Sequence, residues 1–125
     1  MHLVQGALYV NGALVPLSDR NAKENFAPVE PRAMLDRVVA LPLSSWNYKT
    51  DTATRHVGPM AQDFYAAFQV GADDKHITTT DESGVALAAI QGLNQKLEET
   101  RAENADLRKQ LGELKQLVET IAKRN

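Results

Sequence analysis

The sequence predicts an α+β protein: a small mixed helix and strand domain followed by one long C-terminal helix that forms a coiled coil. Two observations predict this class. Short strand-like and helix-like patterns follow one another within residues 1–82, and a seven-residue apolar repeat then extends from Ile90 to the last residues. The chain has 125 residues, which suits one modest domain with an appendage.

Composition excludes several classes of function. The 14 Lys and Arg residues are balanced by 16 Asp and Glu residues, so we expect no binding to nucleic acid or to an anionic membrane. The apolar runs are much shorter than the roughly 18–20 residues of a membrane-spanning helix. The chain has no cysteine, and its three histidines share no metal-ligand spacing, so we expect neither a metal site nor a cofactor.

Residues 1–17 predict a β-hairpin. Apolar residues flank Asn11-Gly12, a pair that readily adopts the positive φ angles of a tight turn. A lone hairpin is only marginally stable in water. We therefore expect residues 1–17 to be the C-terminal end of a larger β-structure that lies upstream.

The first half of the next segment, residues 18–82, predicts a helix and then a strand. Pro31 suits the first turn of a helix, because the apolar residues after it recur at helical spacing, and Pro42 ends this helix. Alternation at Trp46 and Tyr48 predicts a strand with one buried face.

The second half of that segment predicts a strand, a helix and a β-prone run. The strand covers residues 54–57 and ends at Gly58-Pro59, after which aromatic residues share one side of a helix that Gly71 ends. Ile77 begins a β-prone run of threonines. Because the unit has few large apolar residues for a core, we expect association with other chains to stabilise it.

The last segment, residues 83–125, predicts a coiled-coil stalk. The a positions are Ile90, Leu97, Asn104, Leu111 and Val118, and the d positions are Leu93, Thr100, Leu107, Leu114 and Ile121. About 40 helical residues make a rod of roughly 60 Å, which cannot bury its own apolar seam. The pattern does not separate two, three or four strands. The alternative is a single amphipathic helix packed on its own domain, but that domain is too small to cover the rod.

Ser18 and Lys23 are the candidates for nucleophilic chemistry. A serine hydroxyl is a weak nucleophile until a base accepts its proton, and a lysine is such a base where burial lowers its pKa. The spacing alone is common, and the plain alternative is that Ser18 or Asp19 only caps a turn.

Three motifs, in order along the chain, carry a resemblance to one family. They are SDRNAKENF at residues 18–26, RHVGPMAQDF at residues 55–64 and DESGVALAAIQGLNQKLEE at residues 81–99. Together they are similar to the C-terminal intramolecular chaperone domain of phage endosialidase tailspikes and related tail fibre and adhesin proteins, a self-cleaving serine–lysine peptidase family. Ala22 and Asp63 depart from the family pattern, in which a larger apolar residue and a glutamate are usual.

The resemblance implies a homotrimer that assists folding of an upstream β-rich fibre or tailspike and then cuts itself off between Leu17 and Ser18. It implies Ser18 as the nucleophile and Lys23 as the general base. Further candidates for supporting roles are Asp19, Arg20 and His56. For His56 a structural role is an equal alternative, and for Arg20 a plain salt bridge is the favoured alternative.

Two other interpretations stay open. A non-cleaving trimerisation and capping module of a fibre or adhesin would leave the chain intact, and a receptor-binding fibre tip would need an exposed aromatic or charged patch. The resemblance implies either a phage tail fibre or tailspike precursor, made in the bacterial cytoplasm, or a bacterial surface adhesin, and does not separate the two.

Overall fold

The N-terminal segment folds as a three-stranded antiparallel sheet. The computed structural model describes residues 2–4 and 7–124, and in it strand β1 (His2–Val4) pairs with β2 (Ala7–Val10), which pairs with β3 (Ala13–Pro16). Asn11 and Gly12 join β2 to β3 with φ angles of 51° and 81°, the left-handed geometry of a tight hairpin turn. The predicted hairpin is confirmed, and β1 adds a strand that the sequence pattern did not predict.

The next unit contains the predicted helices and strands. They are α1 (Pro31–Ala40), β4 (Ser44–Tyr48), β5 (Asp51–Gly58) and α2 (Ala61–Phe68). Pro31 occupies the first turn of α1, where its missing N–H costs nothing. Strands β4 and β5 form an antiparallel pair with Trp46 opposite His56, and β5 begins three residues earlier than predicted. Gln69, with φ of 52°, ends α2 just before Gly71.

One long helix, α3 (Thr79–Lys123), contains 45 residues. Thr78 caps its start, because the Thr78 hydroxyl oxygen accepts a hydrogen bond of 3.1 Å from the backbone N–H of Asp81. The expectation of a β-prone run after Ile77 is therefore wrong. Capping of a helix N-terminus by a threonine outweighs the weak strand preference of Thr79 and its neighbour.

The hydrophobic core is small. Phe64 and Phe68 of α2 pack with Val85 of α3, and partly buried side chains of α1 surround them. No side chain within the described part of the chain is fully enclosed. A core of this size supplies little stability by itself, which agrees with the expectation that association stabilises the unit.

Helix α1 lies along the first half of α3. Val85, Ala89 and Gly92 are buried on the α3 side of this contact, and Arg32 Nη1 lies 2.5 Å from Glu99 Oε2. In the heptad frame these α3 residues occupy c and g positions. The packed face of α3 is therefore different from its a and d seam.

The apolar seam of α3 is open to solvent. Its apolar a and d side chains are 45–66% exposed, and they are Ile90, Leu93, Leu97, Leu107, Leu111, Leu114, Val118 and Ile121. The long helix of the predicted fold class is confirmed, and its association into a trimeric coiled coil stays a prediction. Among the described residues, no helix combines the length and apolar character needed to cross a membrane.

Candidate functional site

A short turn directly after β3 shapes the candidate site. Residues Arg20–Ala22 form a single 3-10 turn, and Asp19 caps it by accepting a hydrogen bond of 2.9 Å from the backbone N–H of Asn21. The backbone N–H of Lys23 donates to the carbonyl oxygen of Arg20 at 3.2 Å. This turn directs the chain back on itself, so that a residue after it can reach a residue before it.

The turn brings Lys23 to Ser18. Lys23 Nζ lies 2.6 Å from Ser18 Oγ and donates a hydrogen bond to it. Both residues are exposed in the single chain. A lysine that has lost its proton can accept the serine hydroxyl proton across the same distance, which is within the reach expected of a general base.

Ser18 and Lys23 line a cavity of about 960 Å³ that lies between the sheet and the start of α3. Leu14 and Pro16 of β3 contribute one side. The other side comes from residues 77–87, through the side chains or backbone of Ile77, Thr78, Thr79, Thr80, Ser83, Gly84 and Leu87. The serine–lysine pair therefore lies in an open cleft whose lining comes from two parts of the chain that are far apart in sequence.

The segment that begins at this serine matches a known family. Residues 18–70 match the family model described as chaperone of endosialidase, which is a peptidase family. Residues 18–70 are therefore similar to this family. The match confirms the resemblance seen in the sequence motifs and covers the turn with Ser18 and Lys23, helix α1, the β4–β5 hairpin and α2. A comparison with curated proteins found no match.

The family description supports a coarse functional statement about this chaperone domain. A chaperone of endosialidase is an intramolecular chaperone in a tailspike context, and its peptidase name indicates a serine peptidase-like autoprocessing domain. Such a domain suggests attachment to an upstream passenger.

The other predicted site residues, Asp19, Arg20 and His56, do not line the cavity beside Ser18 and Lys23. Asp19 caps the turn, and Arg20 contacts Lys23 through its backbone carbonyl oxygen, which accepts a hydrogen bond from the Lys23 N–H. His56 of the chaperone domain stacks on Trp46 with ring centroids 4.9 Å apart, and it makes an edge contact with Tyr48 at 5.4 Å. The imidazole of His56 is not part of the cavity lining beside Ser18. Supporting roles for these residues in cleavage stay predictions.

Sequence reasoning missed the α3 side of the cavity. Residues 77–87 lie about 60 positions or more after Ser18, and no periodicity relates the two segments. Only the tertiary structure places both of them around one space.

Two carboxyl groups, those of Asp51 and Asp73, have a lowered pKa, and neither lines the cavity beside Ser18. Hydrogen bonds from the side chain of Thr54 and then from the backbone of Ala53 lower the pKa of Asp51. A hydrogen bond from His76, followed by one from the backbone of Lys75, lowers the pKa of Asp73. Within the described residues, no group of three His, Cys, Asp or Glu side chains is arranged to hold a metal ion.

Proposed function

We propose that this protein is an intramolecular chaperone that trimerises, assists folding of an upstream β-rich fibre or tailspike, and then releases itself by autoproteolysis between Leu17 and Ser18. The observation that carries the proposal is the distance of 2.6 Å between Lys23 Nζ and Ser18 Oγ. Ser18 follows β3 closely and is the first residue of the family match. The passenger would belong to a phage tail fibre or tailspike, or to a bacterial surface adhesin.

The proposed reaction uses three groups of the chain and one water. Lys23 in its neutral form accepts the hydroxyl proton of Ser18 while Ser18 Oγ attacks the carbonyl carbon of Leu17. The bond between that carbon and the Ser18 nitrogen breaks, and the nitrogen takes the proton from Lys23. The resulting ester joins the Leu17 acyl group to Ser18 Oγ. Water then hydrolyses the ester, leaving a carboxylate on Leu17 and restoring the Ser18 hydroxyl.

The open seam of α3 supports association of the proposed kind. Its eight apolar a and d side chains are about half exposed. Burying the exposed part of such side chains stabilises by on the order of 10 kcal/mol per chain before the costs of association are subtracted. In the first half of α3, α1 packs on the c and g face, so it leaves the a and d face open to other copies of the chain. Three copies is the number that the family resemblance implies.

Association of the stalk explains how the module would assist folding. Three long chains of a β-fibre must align before their non-local contacts compensate for the entropy of loop closure. Stalk association tethers the chains and raises the effective concentration of the upstream strands. Cleavage after folding then removes the stalk from the fibre. Without the stalk, the reverse path by which the fibre chains could separate is removed, so the fibre is kinetically stable.

The exposure of the pair in one chain gives the trimer a second role. A lysine becomes a base near neutral pH when water is removed from around it. Ser18 and Lys23 are exposed in the single chain, and a neighbouring copy that covers them would supply this desolvation. We therefore expect cleavage to depend on assembly.

Intact-mass measurement on freshly purified protein tests the proposal. We expect residues 1–17 to be lost, with a new N-terminus at Ser18, at a rate that rises with pH because the lysine must lose its proton first. Ser18→Ala and Lys23→Met should abolish the loss. Matched controls are Ser44→Ala and Lys49→Met, which change exposed residues of the same types elsewhere in the chaperone domain.

The possible results separate the proposal from its alternative. Loss of the peptide at the wild-type rate in both Ser18→Ala and Lys23→Met would show that the serine–lysine assignment is wrong. An unchanged mass in a wild-type trimer, across neutral and mildly alkaline pH, would favour the non-cleaving trimerisation and capping module.

A further inference from the structure

The a and d seam of α3 contains two polar side chains, Thr100 at a d position and Asn104 at an a position. The Thr100 hydroxyl donates a hydrogen bond of 3.0 Å to the carbonyl oxygen of Lys96 in the same helix. Thr100 can therefore enter a dry interface with its hydroxyl satisfied. Asn104 is exposed, and within the described residues its side-chain amide has no hydrogen-bond partner. Of the two, only Asn104 needs a partner from another chain when the seam is buried.

We infer that Asn104 aligns copies of this chain parallel and in register along α3, through hydrogen bonds to the Asn104 side chains of neighbouring copies. This inference rests on the proposed association through the a and d seam, and it adds the direction and the register of that association. The occupant of the open seam is thus a second copy of the chain at the same height along the stalk.

The layers of a coiled coil favour this register among the parallel ones. In a parallel coiled coil that is in register, the a positions of neighbouring helices form one layer, so the Asn104 side chains meet. A shift by one heptad brings Asn104 against Leu97 or Leu111 of the neighbouring copy. The buried amide then loses its hydrogen bonds to water without replacement, which makes the shifted registers unfavourable.

The charges beside the seam favour the parallel direction. An antiparallel pair aligns a positions with d positions, so one antiparallel register sets Asn104 opposite Thr100 of the neighbour. In that register g positions face g positions, and Glu103 lies beside Glu103 of the neighbouring copy. In the parallel register, Glu103 lies beside Arg108 of the neighbouring copy, because g residues then face e residues five positions further along. Like charges disfavour the first arrangement, and opposite charges favour the second.

The remaining basic residues near Asn104 do not reverse this preference. The parallel register also brings Lys96 beside Arg101 of the neighbour, and the antiparallel register brings Arg101 beside Arg101. In both cases Arg101 already forms an ion pair of 2.9 Å with Glu98 of its own chain. Among the described residues, neither Glu103 nor Arg108 has an ion pair. Glu103 therefore distinguishes the two directions.

The surroundings of Asn104 leave it accessible to other copies. Helix α1 packs on the first half of α3, where Arg32 reaches Glu99. Every residue from 100 to 124 is exposed in the single chain. Because all copies share one fold, parallel helices in register also place the β3 strands of all copies at one height. Chains that must align before their strands pair require such a common starting point.

Spin labels test the alignment in the full chain. The chain has no cysteine, so Gln116→Cys, at an outer f position, supplies the only thiol of the uncleavable Ser18→Ala chain. Double electron–electron resonance then measures distances between nitroxide labels on assembled copies. Parallel helices in register should give one short distance. A shift by one heptad separates the labels by about 10 Å along the axis, and the antiparallel register with Asn104 opposite Thr100 separates them by about 40 Å.

Asn104→Leu should separate alignment from stability. Because a polar a residue specifies register at a cost in stability, the midpoint of urea unfolding should rise at fixed protein concentration, while longer label distances should appear beside the short one. Thr100→Leu is the matched control in the next layer of the seam. It should also raise the midpoint but should keep the single short distance. Adding Leu111→Asn to Asn104→Leu moves the amide by one heptad and should restore the single distance, because the relocated asparagines again meet one another.

Each contrary result has its own meaning. A single short distance that persists in Asn104→Leu would show that another part of the chain sets the alignment, and it would overturn the inference while association stands. A long distance in the Asn104 parent would overturn it equally. A monomeric parent in native mass spectrometry would overturn both the inference and the proposed association. Autoproteolysis does not enter these measurements, since every sample carries Ser18→Ala, so its failure would be seen separately in the mass of the wild-type chain.

Discussion

Replacing Gly92 with alanine measures how closely α1 packs on α3. Gly92 is buried on the α3 side of the contact. A Cβ atom at this position would overlap the backbone carbonyl of Pro31 and would lie 3.1 Å from Leu35 Cβ. Because the first obstacle is backbone, α1 must move away from α3 to admit the new methyl group.

The expected magnitude comes from two opposing effects. Overpacking a tight contact costs about 1–3 kcal/mol, and a backbone obstacle belongs at the upper end of that range. Replacing glycine by alanine inside a helix contributes about 1 kcal/mol in the other direction. We therefore expect Gly92→Ala to lower the free energy of unfolding by about 1–2 kcal/mol.

Gly112 provides the matched control. It lies in the same helix, and a Cβ atom there would meet nothing within 4 Å. Gly112→Ala should therefore raise the free energy of unfolding by up to about 1 kcal/mol. Neither glycine is at an a or d position, so both variants should associate like the parent chain.

Urea unfolding followed by circular dichroism provides the measurement. The parent should be the Ser18→Ala chain, so that every sample stays uncut, and all samples need the same protein concentration because association contributes to stability. Gly92→Ala should fall below the parent and Gly112→Ala should rise above it, at unchanged slope m. Equal stabilisation by the two substitutions would refute the close approach of α1 to α3.

Two further predictions concern the seam and the acidic loop before α3. Leu107→Lys places like charges at a d position that is 59% exposed in the single chain, so native mass spectrometry should show loss of the trimer. The control, Ala102→Lys at an outer f position, should keep the trimer. A trimer in both variants would contradict association through the a and d seam. Asp73 should titrate below 3.8 because His76 hydrogen-bonds its carboxylate, and NMR of His76→Ala should find the midpoint closer to 3.8. Since the pKa of Asp73 is lower in the folded state, this hydrogen bond stabilises the folded protein at pH values above the pKa of the unfolded state. That stabilisation is lost as the pH falls through the folded-state pKa. An identical titration midpoint for Asp73 in the parent chain and in His76→Ala would contradict this prediction.

Local signals in the sequence were sufficient for most of the fold. Asn11-Gly12 specified a hairpin because few other pairs adopt two positive φ angles, and Pro31 marked a helix start because its ring favours the first turn. The heptad repeat predicted the long helix. For the candidate site, the single turn between Ser18 and Lys23 is also local, although the resemblance, rather than the spacing, distinguished this pair from an ordinary capped turn.

The tertiary structure alone decided which surfaces meet. The c and g face of α3 receives α1 at Gly92, the a and d seam stays open, and residues near Ile77 and Leu87 line the cavity beside Ser18. The contact at Gly92 and the lining of the cavity both bring together segments that are far apart in the chain. Such contacts depend on how whole helices and strands pack, and short-range periodicity carries no record of that packing. The sequence by itself therefore determined most of the elements and the candidate serine–lysine pair, while the structure determined the surroundings of that pair.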